Sequence, residues 1–440
     1  MYRQNMHLIK ELEMNKLVMR PMVLLLLLSL VLFAGSSLAQ ESSEPVTITV
    51  TQWHTMEAQF EAPFMEIVAA FEAENPDIKV DVVGIPWSDT TPQLTIRTGA
   101  GTPPDVALVN SGDPAIFAAM GALVPIEEVV SAETLEQMQW AKGALIDAPS
   151  YLGTQYGFTW YVFTFPLQYN KNVLAAAGLD PESPPATWDE LLDAIIQVGN
   201  KGDGAIGLGG NFTQGSWGGK FYAAFLWAHG ADVLDVEGNV IFDSPEAVAA
   251  LQELVDVYQA SPNAIGFGTG NYEARLGFAT NQVAFMREAG WIRTIARDLS
   301  GEGEDFDDDW GVAAWPAGHT YTGGHVWVVF QQSEHKEAAG KFIEFVVTNR
   351  EMQELWSGVF GSIPPIQDFH DFAMYDDPFF DEFLVGLGTG RSDAPHPQAD
   401  LVATYLSIAF TEALSGAASP EDVLKRAANN ARIALGQPTQ

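Results

Sequence analysis

The alternation of strand-like and helix-like segments between residues 46 and 109 constrains the fold more than any other feature. Apolar and polar residues alternate in 46–50 and again in 78–82, as in strands with one buried face. A short apolar run at 105–109 follows the turn-forming segment 99–104. The order strand, helix, strand, helix, strand predicts a mostly parallel α/β sheet.

The segment between the first two strands predicts an amphipathic helix of about 15 residues. Its apolar positions follow the spacing i, i+3, i+4 and i+7, at Phe64, Ile67, Val68 and Phe71. Asn75-Pro76 ends it, because proline disfavours a helical conformation in the residue before it.

Later segments carry further helix starts and two loop signals. Thr187 to Glu190 has the pattern of a capping box, and Ser244-Pro245 and Ser419-Pro420 place proline at a first helical position. Gly199–Gly219 predicts a loop-rich segment, because glycine and small polar residues are dense there. Gly301–Asp309 predicts an acidic surface loop.

Composition bounds the number of domains and the kind of partner. A chain of 440 residues suggests two or three domains. The 57 acidic residues outnumber the 21 basic ones, and the formal charge of -36 would repel phosphodiester backbones, so no nucleic-acid partner is expected. With no cysteine, the chain has no disulfide and no thiolate nucleophile or metal ligand.

The N-terminus has the pattern of a signal peptide over residues 1–39. Four basic residues precede the uncharged apolar run Met22–Phe33, which is too short to span a bilayer. Small residues then lead to an expected cleavage after Ala39, and Gln40 stands where a lipoprotein would have cysteine. We therefore expect a periplasmic protein that is not a lipoprotein, with 17 basic and 55 acidic residues after cleavage.

The motifs of several enzyme and cofactor classes are missing. Phe221 follows Gly219-Lys220 where a phosphate-binding loop needs serine or threonine. Asp305 to Asp309 have the spacing of a calcium loop, but Trp310 occupies the glycine position. The eight histidines show no His-Glu-x-x-His pair, so we expect no cofactor, no metal and no catalytic residues.

The ordered set of local patterns resembles the extracellular solute-binding proteins of ABC transporters. It is similar in particular to the carbohydrate-binding family that includes the maltose-binding and glycerol-phosphate-binding proteins. The pieces that carry the resemblance, in chain order, are Phe71–Val80, Gly101–Val106, Tyr169–Lys171, Ala177–Leu179, Thr187–Leu191, Ala284–Met286, Gly290-Trp291, Gly323-Gly324, Ala338–Ile343 and Gly361–Pro364.

The resemblance implies a two-lobed α/β periplasmic binding protein fold, with a hinge of several segments and a ligand cleft between the lobes. The first lobe would comprise 40–160 and 325–364, and the second 161–324 and 365–440. Ligand contacts made by both lobes would exist only in the closed state, so ligand would favour closure. An ABC permease would then receive the ligand from a receptor that we expect to be a monomer.

A sugar site needs aromatic faces with hydrogen-bonding groups around them. Trp291 lies where the resembled family places a stacking aromatic, with Glu288 near it in sequence; the alternative is a buried core tryptophan. Residues that follow predicted strands are favoured by position, because ligands bind beyond the carboxyl ends of strands in open α/β sheets. These residues are Trp53, His54, Trp87, Asn110 and Asp113, with Trp87 equally suited to a lobe core.

The remaining candidates come from the crossing segments and the second lobe. Trp160 and Tyr161 would contact ligand or lie in a buried strand, and the sequence does not separate these possibilities. Gly323 and Gly324 would allow close approach of a ligand or form a turn, with His325 following them. The last two candidates are Trp217 and Arg391, although Arg391 also suits a structural ion pair.

The leading hypothesis is a receptor for a neutral sugar or oligosaccharide that delivers it to an ABC permease and catalyses nothing. A glycerol phosphate or another non-sugar solute is the alternative ligand, although few basic residues are available to balance a phosphate. A cationic ligand suits the charge better and the resembled family worse. An exported glycoside hydrolase is the remote alternative, because 57 acidic residues always allow a catalytic pair.

Overall fold

Two β-sheets with helices around them form the centre of the fold. The structure is a computed structural model that describes residues 44–141, 146–235, 237–316, 318–392 and 396–439. The predicted signal peptide at 1–39 lies outside the described residues. Among the described residues, no helix combines the length and apolar character needed to cross a bilayer.

The strands of the described residues are β1 (Val46–Gln52), β2 (Ile78–Gly84), β3 (Val106–Asn110), β4 (Ser150–Tyr151), β5 (Thr154–Gln155), β6 (Gly157–Thr164), β7 (Leu167–Asn170), β8 (Ile206–Gly209), β9 (Val283–Arg287), β10 (Trp310–Ala313) and β11 (Thr322–Val329).

The α-helices of the same residues are α1 (Ala58–Glu74), α2 (Trp87–Gly99), α3 (Pro114–Ala119), α4 (Ala132–Glu136), α5 (Lys171–Ala176), α6 (Trp188–Gly199), α7 (Ser216–Ala228), α8 (Pro245–Ala260), α9 (Asn271–Ala279), α10 (Ile292–Ser300), α11 (Lys336–Thr348), α12 (Arg350–Phe360), α13 (Asp381–Thr389), α14 (Ala399–Leu414) and α15 (Pro420–Leu435). Short 3-10 helices lie at His54–Met56, Ile126–Glu128, Gln139–Ala141, Gly303–Asp309, Gln367–Asp371, Ala373–Asp376 and Pro378–Phe380.

Both sheets are mixed rather than mostly parallel. The first has the order β2-β1-β3-β11-β6, and the second β10-β7-β9-β8. β1 and β3 are parallel as predicted, but β11 runs antiparallel between β3 and β6. β11 comes from a distant part of the chain and enters the first sheet from the opposite direction, so its orientation lies outside what the alternation over 46–109 predicts. In the second sheet only β8 and β9 pair in parallel among the pairs that the structure defines.

Local signals in the sequence locate several helix ends correctly. α1 ends at Glu74, and its C-cap is Asn75. At the start of α6 the Thr187 hydroxyl accepts a hydrogen bond from the Glu190 amide, and the Glu190 carboxylate accepts from the Thr187 amide, so the capping box is confirmed. Ser244 and Ser419 likewise cap α8 and α15.

The prediction of a loop-rich segment at Gly199–Gly219 was wrong in part. This segment contains β8, and α7 begins at Ser216. Its glycines serve close packing: a Cβ at Gly207 would lie 2.4 Å from the carbonyl oxygen of Ile195, and one at Gly219 would lie 1.9 Å from that of Ala403. High glycine content therefore marks close backbone contact here rather than a loop.

The acidic segment Gly301–Asp309 is also more ordered than predicted. Gly303–Asp309 forms a 3-10 helix, and Phe306 within it is buried. The Asp307 carboxylate accepts hydrogen bonds from Arg293 Nε at 2.8 Å and from Arg297 Nε at 3.0 Å. These ion pairs fix a segment that composition alone assigns to solvent.

Candidate ligand-binding site

A cavity draws its lining from elements attached to both sheets. It measures about 1000 Å³ when the space at its open mouth is included. Its aromatic lining residues are Trp53, Phe60, Trp87, Phe163, Phe165, Trp217, Phe221, Trp291, Tyr321 and Phe360. Its other lining residues are Glu57, Asn211, Lys220, Asn271, Arg275, Arg287, Glu288, Ile295 and His325.

Two indoles that line the cavity contact each other. Trp87 begins α2, the helix that follows β2 of the first sheet, and Trp217 lies in the first turn of α7, the helix that follows β8 of the second sheet. Their ring centroids are 5.4 Å apart at an interplanar angle of 39°. Trp87 Nε1 donates a hydrogen bond to Asn110 Oδ1 at 3.2 Å, which fixes the orientation of that ring. The pair forms an aromatic wall to which both sheets contribute.

Trp291 provides a second aromatic surface. Its ring centroid lies 5.0 Å from that of Phe163 and 5.2 Å from that of Phe360. Its Nε1 donates to Glu288 Oε2 at 3.0 Å, and Arg275 pairs with the same carboxylate oxygen. The Glu288 carboxylate therefore holds both the indole and the guanidinium at the cavity surface.

A buried carboxylate lies behind the aromatic wall. Asp113 Oδ2 accepts hydrogen bonds from Thr91 Oγ1 at 2.8 Å and from Asn110 Nδ2 at 2.9 Å. Burial, followed by repulsion from Asp400, raises the pKa of Asp113 to about 6, and Lys220 opposes this rise. Lys220 Nζ lies 3.0 Å from Asp400 Oδ1 and 5.1 Å from the centroid of the Trp217 ring. The charges of α7 and α14 thus act on a carboxylate that follows β3 of the first sheet.

His325 reaches the cavity from β11 and is held by buried neighbours. Its ring lies 4.5 Å from that of Trp53 in an edge-to-face arrangement. Tyr161 on β6 hydrogen-bonds to His325 Nδ1, and its hydroxyl lies 2.9 Å from His54 Nε2. Burial lowers the pKa of His325 to about 3, so the ring is neutral at neutral pH.

Arg287 ends β9 at the cavity with little compensation for its charge. The side chain is 3% exposed, and its guanidinium stacks against Trp315 and Phe221 at 4.6 and 5.3 Å from the ring centroids. Nη1 donates to the Phe221 carbonyl at 3.3 Å, whereas Nε and Nη2 have no hydrogen-bond partner among the described residues. Burial lowers the pKa of Arg287 to about 9.

Two asparagines add uncharged hydrogen-bonding groups. Asn211 follows β8, and its Oδ1 accepts a hydrogen bond from Thr213. Asn271 begins α9, and within the described part of the chain its side chain makes no hydrogen bond. Amides of this kind both donate to and accept from hydroxyl groups.

The cavity brings together six of the residues that the sequence suggested. They are Trp53, Trp87, Trp217, Glu288, Trp291 and His325. The other eight lie outside its lining, namely His54, Asn110, Asp113, Trp160, Tyr161, Gly323, Gly324 and Arg391. Of these eight, Asn110 and Asp113 lie behind Trp87, and His54 and Tyr161 lie behind His325.

The positions of the remaining four have packing reasons. Trp160 is fully buried and stacks on Trp356 at 4.6 Å. Gly323 and Gly324 lie in the strand β11, and a Cβ at Gly323 would lie 2.6 Å from the ring of Phe163, so that glycine makes room for an aromatic residue of the cavity. Arg391 pairs with Asp232 at 2.7 Å, which is the structural ion pair expected as the alternative for this residue.

Sequence reasoning missed most of the cavity's polar residues. Asn211 follows a strand end, so the rule that selected Trp53 would also have found it if β8 had been predicted. Arg287 ends β9 in the same way and had the same signal. Asn271 and Arg275 lie on α9 and carry no signal of this type, because only the packing of that helix brings them to the cavity.

Comparison with known proteins identifies a family. The family model described as bacterial extracellular solute-binding protein matches residues 57–353. A binding protein of Brucella abortus is 27% identical over 428 residues, which cover 93% of this chain and 96% of that protein. The arabinooligosaccharide-binding protein of Bacillus subtilis is 26% identical over 360 residues, which cover 78% of this chain and 79% of that protein.

A solved structure with the same fold is also similar in sequence. It is an ABC transporter solute-binding protein from Thermotoga lettingae bound with α-D-tagatose. The TM-score is 0.75 and the sequence identity 27%, and the match covers 89% of this chain and all of that one.

Proposed function

The chain belongs to the bacterial extracellular solute-binding proteins, a family with a two-lobed α/β fold, and from this premise we propose that its cavity captures a sugar or oligosaccharide for an ABC importer. The observation that carries the proposal is the aromatic wall formed by Trp87 and Trp217. Sugar rings present apolar C–H faces that pack on aromatic faces, while their hydroxyls need hydrogen-bonding groups around the edge. Asn211, Asn271 and Glu288 supply such groups.

The proposed capture mechanism is closure of two lobes around the ligand. We assign 40–160 and 325–364 to one lobe, and 161–324 and 365–440 to the other. The sheet order supports this division for most strands, because β1, β2 and β3 belong to the first sheet and β7, β8 and β9 to the second. β6 and β11 of the first sheet cross the proposed boundaries, as segments that connect two lobes would. Since ligand contacts from both sides form together only when the lobes close, ligand favours the closed state.

The physiological setting follows from the same proposal. The receptor is exported after cleavage near Ala39, works in the periplasm as a monomer without a lipid anchor, and passes its ligand to the transmembrane subunits of a permease. It binds without catalysis. The family supports binding over hydrolysis, and the tagatose complex of the Thermotoga lettingae protein and the name of the Bacillus subtilis relative support a carbohydrate ligand.

The charge of the ligand defines two versions of the proposal. A neutral sugar is the first, because basic residues are scarce in the chain as a whole. A sugar or polyol that carries a carboxylate or phosphate is the second, and Arg287 favours it. Two of its donors, Nε and Nη2, are buried without partners among the described residues. An oxyanion pairs well with two donors on one edge of a guanidinium, provided that the packing over Arg287 opens to admit it.

A thermal-shift screen of the purified protein tests the function. The panel contains D-tagatose, maltotriose, arabinotriose, galacturonate and sn-glycerol 3-phosphate. Ligand at 100 times its dissociation constant stabilises the native state by about 2.7 kcal/mol, which raises the unfolding midpoint by a few degrees. A shift with one or more sugars supports the proposal, and the absence of any shift across the panel contradicts it.

Arg287→Met separates the two versions of the ligand. Methionine keeps much of the side-chain volume but removes the charge. If the ligand is anionic, the variant loses affinity for galacturonate or glycerol phosphate much more than for the neutral sugars. An equal effect on neutral and acidic sugars contradicts the anionic version.

A further inference from the structure

A chain of three buried polar side chains ends at the cavity. His54 follows β1, Tyr161 lies on β6 and His325 lies on β11, and none of them is more than 5% exposed. The Tyr161 hydroxyl hydrogen-bonds to both imidazoles, to His54 Nε2 at 2.9 Å and to His325 Nδ1. The register of β11 against β6 shifts between His325 and Val326, and such a bulge changes the direction of a side chain.

All three groups are uncharged at neutral pH. Burial, and then the charge of His325, lowers the pKa of His54 well below its ordinary value, and burial lowers that of His325 to about 3. Burial raises the pKa of Tyr161 well above its ordinary value. Each imidazole therefore carries one N–H, and the hydroxyl between them carries one proton.

If both imidazoles donated to the Tyr161 oxygen, its buried O–H would have no acceptor among the described residues, which is costly. Two arrangements satisfy both hydrogen bonds and also use this proton. In one, His54 donates from Nε2 to Tyr161, Tyr161 donates to His325 Nδ1, and His325 carries its own proton on Nε2. In the other, every bond is reversed: His325 donates from Nδ1 to Tyr161, Tyr161 donates to His54, and His54 carries its proton on Nδ1. The two arrangements differ at both ends of the chain.

The inner end of the chain distinguishes the arrangements. His54 Nδ1 is buried and has no hydrogen-bond partner in the described part of the structure. The first arrangement leaves only a lone pair there, whereas the second leaves an N–H group. A buried donor without a partner is rarer and more costly than an acceptor that lacks one.

The main competitor is a contact with an aromatic ring. The rings of His54 and Trp356 lie 4.6 Å apart at 85°, so an N–H on Nδ1 could meet a π face. Such contacts are weaker than the hydrogen bonds they would replace. The first arrangement is therefore favoured.

We propose that Tyr161 and His54 fix His325 as a hydrogen-bond donor toward the ligand through Nε2–H. Tyr161 occupies Nδ1 of His325, so Nε2 is the ring nitrogen that remains for a molecule in the cavity. His325 then selects an oxygen acceptor on the ligand and disfavours an ammonium group at the same place. Tyr161 and His54 are positioning residues, which act on the ligand only through His325.

The first test needs no ligand. In protein labelled with ¹⁵N-histidine, two-bond ¹H–¹⁵N correlations show which ring nitrogen of His325 is protonated. We expect the proton on Nε2 in the wild type, and a mixture of both tautomers after Tyr161→Phe. A proton on Nδ1, or a mixture already in the wild type, overturns the proposal.

Tyr222→Phe is the matched control. Tyr222 is fully buried, and its hydroxyl has no hydrogen-bond partner among the described residues. Its removal also deletes a buried phenol oxygen, but it should leave the His325 spectrum unchanged. An equal change of that spectrum in both variants would mean that general loss of packing, rather than the Tyr161 hydrogen bond, sets the tautomer, and the proposal would fail.

The second test measures selectivity and rests on the proposed function. With the sugar that binds best among D-tagatose, maltotriose and arabinotriose, Tyr161→Phe should weaken binding by about tenfold, the scale of one hydrogen bond. Tyr222→Phe should leave it unchanged, and unchanged binding in Tyr161→Phe contradicts the proposal. If no sugar binds and the spectrum is as expected, the proposed function fails while the proton arrangement is supported.

Discussion

Replacement of Trp291 by alanine is the most informative single perturbation of the proposed sugar site. The indole is half-buried before ligand arrives, packed against Phe163 and Phe360, and its N–H is occupied by Glu288. A ligand therefore gains the remaining aromatic face rather than a polar contact with the indole nitrogen.

The expected loss follows from this exposed face. Full burial of a large apolar side chain contributes about 1.5 to 3 kcal/mol, so burial of the remaining half contributes about 1 kcal/mol. Stacking geometry adds about 0.5 to 1.5 kcal/mol. The total of about 1 to 3 kcal/mol corresponds to a dissociation constant weakened about 5- to 150-fold.

The assay is titration calorimetry with the sugar identified in the screen, accompanied by thermal unfolding of each variant. Trp188→Ala is the matched control. Trp188 is also half-buried and also donates from Nε1 to a carboxylate, that of Glu253 at 2.6 Å, but it does not line the cavity. Unchanged affinity in Trp291→Ala, or an equal loss in Trp188→Ala, would refute the assignment of Trp291 to the ligand surface.

Three further predictions concern stability. Gly219→Ala should destabilise the protein by about 1 to 3 kcal/mol in urea unfolding, because its Cβ would lie 1.9 Å from the Ala403 carbonyl oxygen. Gly388→Ala is the control and should be neutral or stabilising, because the space around its Cβ is open. The free energy of unfolding should fall between pH 7.5 and 5, because the unfolded chain binds protons at His54 and His325, the two fully buried histidines, whose native pKa values are lowered. Each contributes a loss of about 2 kcal/mol, and Asp113, whose native pKa is raised to about 6, offsets about 1 kcal/mol, so equal or greater stability at pH 5 would contradict this reasoning. Asp307→Asn should lower the unfolding midpoint by several degrees, because Arg293 and Arg297 both pair with this carboxylate, and an unchanged midpoint would show that these ion pairs contribute little.

Local signals in the sequence predicted the elements that depend on neighbouring residues. Thr187 and Glu190 cap each other within one turn, and Asn75-Pro76 ends α1 without help from the rest of the fold. The glycines of 199–219 were misread because their role depends on distant backbone, such as the Ile195 carbonyl beside Gly207. The antiparallel direction of β11 likewise depends on a strand pairing that no local pattern records.

The residues of the candidate site likewise fall into those that a local position suggests and those that only tertiary packing brings to the cavity. Trp53 and Trp87 follow strands of the first sheet, so position in the chain was enough to suggest them. Arg275 and Tyr321 reach the cavity only through tertiary packing. The net charge of the whole chain did not predict the charges at the cavity. The chain has a formal charge of -36, yet Arg287 lines the cavity without an ion-pair partner among the described residues.

Small-angle X-ray scattering with and without a saturating sugar tests the central claim most directly. If the protein captures its ligand by closure of two lobes around the cavity, the radius of gyration of the wild type should decrease when the sugar is added. Trp291→Ala serves as the control at the same sugar concentration, chosen to lie below the weakened dissociation constant of the variant. Its radius of gyration should not decrease. A sugar that binds with full occupancy and leaves the scattering curve of the wild-type protein unchanged would contradict capture by closure.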